Sequence, residues 1–477
     1  MKNQGQTKDI QVLKRQLGII GATIAVVGSM VGTGIFWQPG NVLLQAGGNV
    51  WLGAAAWLTS GMIILLCVYT FSVMGRQYEN MHGLVDYAEA LVGKKYAYVI
   101  GWYFVAIYHT AAYALLAWIT ANFTTQAAGM DVTDPSTVQF RIFLTLFYMV
   151  AVFCLSYIVP KLPMRFHLGS TVARCIPIVS MGVIGVIAGL IIGGGEATQV
   201  IVPADTTVNL EGGSFRNAMF ATLFAYGGWQ AAAAFNSEVK HKKDGKKGFP
   251  TALIVGFIIV ITLYTSYFIG VALSGDGYQL MTGDRAQATR EAFINIFGAP
   301  AGTILMIFIV ISGLGILNLC CMGMSRSMFA LGKRGWGPLA HRTGELDPHT
   351  NVPSNGMVVA LGMSMLWFIV IMGNVRGWWG LMPDGRNFEF ALGDFFNFML
   401  FIFITPILFM FFIKHRKNKS LHIANRVIMP LVATAAAIFL ASTLLGSFIH
   451  FVVYLSTAIV ITVIGLLFTI KNKINSI

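Results

Sequence analysis

The chain has 477 residues, of which 56% are hydrophobic and only 11% are charged. This composition leaves too little polar surface for a soluble protein of that size and excludes a disordered chain, so it is typical of a protein that crosses a bilayer many times. The formal net charge of +13 would suit nucleic-acid binding only if the charges formed a patch. The five cysteines have neither disulfide nor zinc spacing and do not indicate a redox compartment.

Apolar segments long enough to cross a membrane recur along the whole chain. A spanning helix needs about 20 residues, because the hydrocarbon layer is about 30 Å thick and each residue rises about 1.5 Å. Twelve segments meet this length, and their predicted bounds are 17–41, 49–75, 96–125, 140–160, 166–192, 214–238, 249–274, 291–331, 354–374, 390–413, 426–447 and 449–470. The polar stretch 77–95 is predicted to be a cytoplasmic interfacial helix.

Basic residues collect on one side of these spans. The loops on the same side as the termini contain most of the lysine and arginine, including the run 240–247, whereas the opposite loops contain few basic residues and many acidic ones. The bias predicts that both termini are cytoplasmic and accounts for the net charge. Residues 240–247 could also bind anionic lipid, but a solvated loop is the preferred interpretation.

Two spans are interrupted by glycine. The first contains Gly28-Ser29-Met30-Val31-Gly32-Thr33-Gly34-Ile35-Phe36, and the sixth contains Phe224-Ala225-Tyr226-Gly227-Gly228-Trp229-Gln230. Glycine favours unwinding of a helix, and breaks five spans apart are typical of an inverted five-plus-five repeat. The predicted organisation is a cytoplasmic segment 1–16, a first repeat 17–192, a second repeat 214–413, two further helices in 426–470 and a short cytoplasmic tail 471–477.

An unwound stretch at membrane depth frees backbone groups that a ligand can satisfy. The amides of Gly32, Thr33 and Gly34 would lie at the positive start of the outer half-helix and suit a carboxylate. Carbonyls near Val27, Gly28, Phe224 and Ala225 would suit an ammonium group. Together these groups describe the head of an α-amino acid. The alternative is that each glycine run allows close helix packing.

The first-span motif resembles the signature of the amino acid, polyamine and organocation transporter superfamily. Two further stretches support the resemblance, namely Glu238-Val239-Lys240 after the sixth span and residues 325–338 after the eighth. It implies an all-α membrane protein of 12 helices with a sodium-transporter-like five-plus-five fold. It also implies alternating access around helices 1 and 6, and transport or exchange of amino acids or their amines.

The resemblance also implies which residues act on the substrate. Phe224 matches an aromatic that closes over the substrate in a similar arginine/agmatine exchanger, and Trp229 is a candidate second lid. Gln230 stands where that exchanger has a glutamate, which argues against proton-linked gating there. The full predicted binding set is Val27, Gly28, Met30, Val31, Gly32, Thr33, Gly34, His109, Phe224, Ala225, Tyr226, Gly227 and Trp229.

His109 lies midway along the third span, where an ionisable side chain is a functional candidate. It could select the substrate side chain or bind a proton, because an unperturbed imidazole has a pKa of about 6.5. The alternative is a neutral histidine that joins two helices by hydrogen bonds. The aromatic residues around it are interpreted as packing and interface residues; they are Trp102, Tyr103, Tyr108, Tyr113 and Trp118.

Arg174 lies well inside the fifth span and requires a partner or a watery cavity. In several members of the superfamily a lysine on this helix replaces a sodium ion beside the broken first helix, and Arg174 is close to that position. The alternative is that its side chain snorkels to the cytoplasmic surface. Related sodium-coupled carriers bind sodium partly through hydroxyls on helix 8, and residues 313–324 contain no serine or threonine, although Ser312 and Ser325 flank this stretch and leave sodium binding open. The resemblance therefore favours exchange or proton coupling over sodium coupling.

The expected protein is thus a transporter of an amino acid or amine, with no cofactor or metal, no nucleic-acid partner and an open oligomeric state. Protons are a second ligand if transport is proton-coupled. A membrane enzyme is disfavoured because the chain has no metalloprotease or hydrolase motif and no cluster of intramembrane acids. A channel is disfavoured because nothing indicates a ring of charges or carbonyls.

Overall fold

The computed structural model describes residues 18–78, 83–132, 134–159, 162–192, 213–223, 225–232, 239, 248–283, 285–348, 350, 352–380, 388–443 and 448–474. The regular elements in these ranges are all helical. The helices of the first half are α1 (Ile19–Met30), α2 (Gly34–Gln45), α3 (Val50–Gln77), α4 (Leu84–Leu91), α5 (Lys94–Ala127), α6 (Pro135–Ile158) and α7 (Leu162–Ile191). Those of the second half are α8 (Phe215–Thr222), α9 (Trp229–Ala232), α10 (Phe249–Ser274), α11 (Gly277–Thr282), α12 (Arg285–Phe297), α13 (Ala299–Lys333), α14 (Ala340–Thr343), α15 (Ser354–Arg376), α16 (Leu392–His415), α17 (Ala424–Ser442) and α18 (Phe448–Ile474).

Ten of these helices are long and apolar enough to cross a membrane, and α1 with α2 makes an eleventh span bent by 52°. Apart from the start of the eighth span, their bounds agree with the sequence prediction to within a few residues. The sixth predicted span is represented by α8 and α9, and its residues 224 and 233–238 lie outside the described ranges. The polar stretch after α3 contains the short helix α4, as expected.

The eighth predicted segment, 291–331, is longer than one span needs and was expected to include some interfacial helix; the structure divides it into two helices. α12 ends at Phe297, and Gly298 then adopts a φ of 85°, a left-handed conformation that glycine tolerates and other residues rarely adopt. Pro300 follows in the first turn of α13, where its missing amide hydrogen costs no helical bond. Only α13 therefore spans the membrane, and α11 and α12 pack against α2.

Helix α5 lies at the centre of the molecule. In its most apolar 18-residue window 83% of the residues are buried, compared with 17% for α18 at the periphery. Its course is not a uniform α-helix, because residues Phe104–His109 form a π-helical turn. Such turns are rare and often occur at functional sites. This one lies where α5 faces α13 and α16.

Candidate substrate-binding site

The first span is interrupted between Met30 and Gly34, within the glycine run. In the described part of the chain, the amides of Gly32, Thr33 and Gly34 donate no hydrogen bond. The Thr33 hydroxyl is also buried without a partner there. Unpaired donors at the start of a half-helix attract negative charge, because the helix dipole adds to their own partial charges. The break therefore presents an anion-binding group of amides at the start of α2.

Several carbonyls on the other side of the break already accept protein hydrogen bonds. The Val27 carbonyl accepts from the Val31 amide at 2.9 Å, and the Met30 carbonyl accepts from the Tyr264 hydroxyl at 2.9 Å. The Gly28 carbonyl accepts from Arg174. Among the residues described, none donates to the Ser29 carbonyl. The Ser29 oxygen is therefore better placed to receive an ammonium group than the Val27 and Gly28 oxygens expected from the sequence.

The break in the sixth span lies directly against the break in the first. Gly228 has a φ of 100°, and a Cβ atom placed on it would collide with the Ser29 carbonyl oxygen and lie 3.5 Å from the Met30 Cα. Only glycine allows both this backbone conformation and this close approach. The two unwound segments can therefore form one site between them.

A cavity opens between these segments, α5, α13 and α16. Its empty space is about 670 Å³ when the part open to solvent is counted. The residues that line it are Ser29, Met30, Gly32, Thr33, Gly34, Ile35, Tyr108, His109, Ala112, Leu116, Ala225, Gly227, Gly228, Ile316, Leu319, Cys320 and Phe396. Within the part of the chain that the structure describes, this lining includes no aspartate, glutamate, lysine or arginine. An apolar wall with a few polar groups is typical of small-molecule sites.

The predicted binding residues divide into two groups in the structure. Those that line the cavity are Met30, Gly32, Thr33, Gly34, His109, Ala225 and Gly227. Those that are absent from the cavity lining are Val27, Gly28, Val31, Tyr226 and Trp229, and the predicted gating or coupling residues Gln230 and Arg174 are absent from it too. The predicted lid Phe224 lies outside the described residues.

The aromatic residues that follow Phe224 pack away from the cavity. The Tyr226 hydroxyl donates to the Trp57 carbonyl at 2.9 Å, which points this side chain towards α3. The ring of Trp229, the candidate second lid, has its centroid 5.3 Å from that of Phe71, also on α3. Gln230 is buried beside the Tyr108 hydroxyl. These three residues therefore join the sixth span to its neighbours in this conformation.

Arg174 is fully buried against the broken first helix. Its guanidinium donates to the carbonyls of Gly28, at 3.1 Å, and of Val31. On its own helix it donates to the Ser170 carbonyl at 3.1 Å and to the Ser170 hydroxyl at 2.8 Å. A fixed positive charge thus lies next to the unwound carbonyls, as a bound cation would. The side chain does not snorkel to the cytoplasmic surface.

Sequence reasoning missed part of the cavity wall. Tyr108 was interpreted as a packing residue, yet it lines the cavity beside His109. Its neighbours Tyr103 and Tyr113 do pack, since their hydroxyls donate to the carbonyls of Phe396 at 2.6 Å and Met149 at 2.7 Å. The π-helical turn explains why two consecutive residues reach the same cavity, because it departs from the 3.6-residue period.

The wall contributed by α13 and α16 also went unrecognised. Ile316, Leu319, Cys320 and Phe396 belong to uniformly apolar helices, in which periodicity does not separate the buried faces. Asn318, on the neighbouring face of α13, is buried and donates to the Pro163 carbonyl at 2.8 Å. It adds an amide oxygen to a helix in which only serine and threonine were considered as possible sodium ligands.

Comparison with known proteins gives consistent matches over nearly the whole chain. A family model described as "Amino acid permease" matches residues 17–470. The serine/threonine exchanger SteT of Bacillus subtilis is 27% identical over 91% of this chain and 92% of its own length. The L-methionine/branched-chain amino acid exporter YjeH of Escherichia coli is 22% identical over 75% of this chain and 79% of its own length.

Among solved structures, the crystal structure of MhsT in complex with L-phenylalanine matches with a TM-score of 0.59 and 14% sequence identity. The match covers 93% of this chain and 99% of that chain. At this identity the similarity concerns the fold alone. It confirms the fold class predicted from the sequence, that of an all-α membrane protein with a sodium-transporter-like arrangement of helices.

Proposed function

Because this chain belongs to the amino acid permease family, we propose that it is a secondary active transporter that carries amino acids across the cytoplasmic membrane by alternating access. The mode is sodium-independent exchange of one amino acid for another or for its amine product. The observation that carries the proposal is the break in the first helix, where unpaired amides and an unpaired carbonyl face a cavity.

The polar groups at the break suit both charges of an amino acid. The amides of Gly32, Thr33 and Gly34 would bind the carboxylate at the positive start of α2. The Ser29 carbonyl would accept from the ammonium group. Both interactions use backbone atoms, so they would recognise the head shared by all amino acids and leave the side chain to the cavity wall.

Arg174 supports sodium independence. Its guanidinium occupies the carbonyls of Gly28 and Val31, which a cation would otherwise use. Because the charge is covalently attached, the first helix would be stabilised without any ion in solution. The relative SteT is named a serine/threonine exchanger, which agrees with exchange as the mode of transport.

The membrane orientation belongs to the same proposal. The protein is a multi-pass membrane protein, and the lysine and arginine bias of its loops supports cytoplasmic termini. In this orientation α2 is the outer half of the first span and α1 the inner half. The helices α11 and α12, which pack against α2, then lie on the outer side.

A proton-coupled symporter of amino acids or polyamines is the second candidate. The observation that favours it is His109, an imidazole on the cavity wall that could bind a proton together with the substrate. Gln230 argues against a second proton site on the sixth span, because an amide does not titrate.

Purified protein in proteoliposomes, assayed in sodium-free buffer and again with sodium added, separates these candidates. Uptake of labelled L-amino acids would be compared between empty vesicles and vesicles preloaded with the same amino acid or its amine, with and without an inward proton gradient. Exchange predicts that preloading strongly stimulates uptake without sodium or a proton gradient. A sodium requirement, or uptake into empty vesicles driven by the proton gradient, would contradict exchange, and the second result would establish the alternative. Protein-free vesicles are the control.

A further inference from the structure

We propose that His109 selects the substrate side chain and that it selects an uncharged side chain with a hydroxyl or carboxamide group. This inference rests on the proposed function, because it assigns the side-chain end of the same cavity. The backbone amides and carbonyl would bind the amino acid head, and His109 would supply the hydrogen bond to the side chain.

The imidazole of His109 borders the cavity, and it has no hydrogen-bond partner within the described part of the chain. His109 is 7% exposed and lines the cavity. No residue in the described ranges forms a hydrogen bond with its ring. Its ring contacts on α5 are aromatic, with centroids 5.6 Å from Phe104 and 5.2 Å from Tyr108. An imidazole at the cavity wall can form a hydrogen bond with a ligand, so a ligand that supplies one is favoured over a ligand that displaces water without replacing the bond.

Two features of the backbone set the position of this ring. His109 ends the π-helical turn, and the Thr110 hydroxyl that follows donates to the Val105 carbonyl at 2.9 Å across that turn. On α13, a Cβ atom at Gly323 would lie 2.7 Å from both Cε1 and Nδ1 of His109 and 3.2 Å from Nε2. The π-helical turn weakens α5 and the glycine weakens α13. Together they allow the imidazole to fit between these two helices.

The rest of the wall determines the class of side chain. Among the described residues that line the cavity there is no acidic side chain, lysine or arginine. A charged substrate side chain would therefore lose its hydration without gaining a partner of opposite charge. A purely apolar side chain would leave the imidazole unpaired. A neutral imidazole has one donor and one acceptor nitrogen, so it can pair with a hydroxyl or a carboxamide.

Threonine and valine give the sharpest test, because they have nearly the same shape and threonine has a hydroxyl group where valine has a methyl group. In preloaded proteoliposomes, the transport efficiency for labelled L-threonine is expected to exceed that for L-valine by about tenfold or more in the unmodified protein. His109→Leu should reduce this ratio towards one, mainly by loss of threonine transport. His109→Asn should retain part of the ratio, because an amide still donates and accepts.

The Gly323→Ala substitution tests the position of the His109 ring without changing the histidine itself. The added methyl group would displace the imidazole, so the threonine-to-valine ratio should fall although His109 is intact. His341→Leu is the matched control, since His341 is exposed on the short helix α14, and it should leave the ratio unchanged. The ratio does not depend on the amount of folded protein, so a merely structural defect would lower both rates and leave the ratio unchanged.

The outcomes separate this inference from the function on which it rests. Exchange of amino acids with an unchanged ratio in His109→Leu would overturn the role of His109 and leave the proposed function standing. Equal transport of threonine and valine by the unmodified protein would also overturn the role of His109 and leave the proposed function standing. If no amino acid is exchanged, the proposed function fails and the inference fails with it.

Discussion

Arg174, on α7, is the side chain whose hydrogen bonds to the broken first helix can be tested most directly. Replacing it with methionine would remove all hydrogen bonds from the guanidinium to the carbonyls of Gly28 and Val31. Losing hydrogen bonds from a charged group costs about 2–3 kcal/mol. Arg174→Met should therefore lower the melting temperature and reduce exchange by about tenfold or more. Arg165→Met, an exposed change on the same helix, should leave both unchanged. Normal transport by Arg174→Met would rule out the structural cation.

A second prediction for a single residue concerns Gly228, where the two broken helices meet. Its positive φ and its contact with the Ser29 carbonyl leave no room for a methyl group. Gly228→Ala should cost about 1–3 kcal/mol and separate the two broken segments, so that exchange is largely lost. The control is Gly362→Ala, because a Cβ atom there meets open space within the described structure. Equal activity of the two variants would show that the close approach of the breaks is not needed.

At the scale of elements, the sequence predicts each helix better than it predicts how helices meet. Length and hydropathy placed the spans, because each must cross about 30 Å of hydrocarbon. Hydropathy does not predict where α12 ends, before Gly298, or where α5 forms its π-helical turn, because both features depend on local backbone geometry. The sequence also does not predict which charged residues from distant parts of the chain form ion pairs. Arg334, at the end of α13, contacts Asp86 at 2.5 Å and Glu89 at 3.4 Å on α4.

This ion pair predicts coupling between α4 and the end of α13. The side chains of Arg334 and Asp86 are 20% and 7% exposed, so water screens the pair only in part. A double-mutant cycle of Asp86→Asn and Arg334→Gln should give a coupling energy of about 1–2 kcal/mol in thermal unfolding. The same cycle with Lys333→Gln should be additive, because the Lys333 ammonium lies over the Phe329 ring. Additivity in both cycles would show that the contact does not stabilise the fold.

At the scale of the whole molecule, the sequence identified the centre of the candidate site but not its walls. The glycine runs signalled both breaks, because unwinding within a membrane has a recognisable composition. His109 stood out because a histidine is rare at that depth. Tyr108, Cys320 and Phe396 did not, since which face of a helix borders the cavity follows from the packing of α5, α13 and α16.

We propose that the amides at the start of α2 bind the carboxylate of an amino acid. The most direct measurement is an experimental structure of the protein with an exchanged L-amino acid bound. We expect the carboxylate to lie within hydrogen-bond distance of the Gly32, Thr33 and Gly34 amides, with the ammonium group near the Ser29 carbonyl. An amino acid bound elsewhere, or bound here with its carboxylate away from these amides, would contradict it.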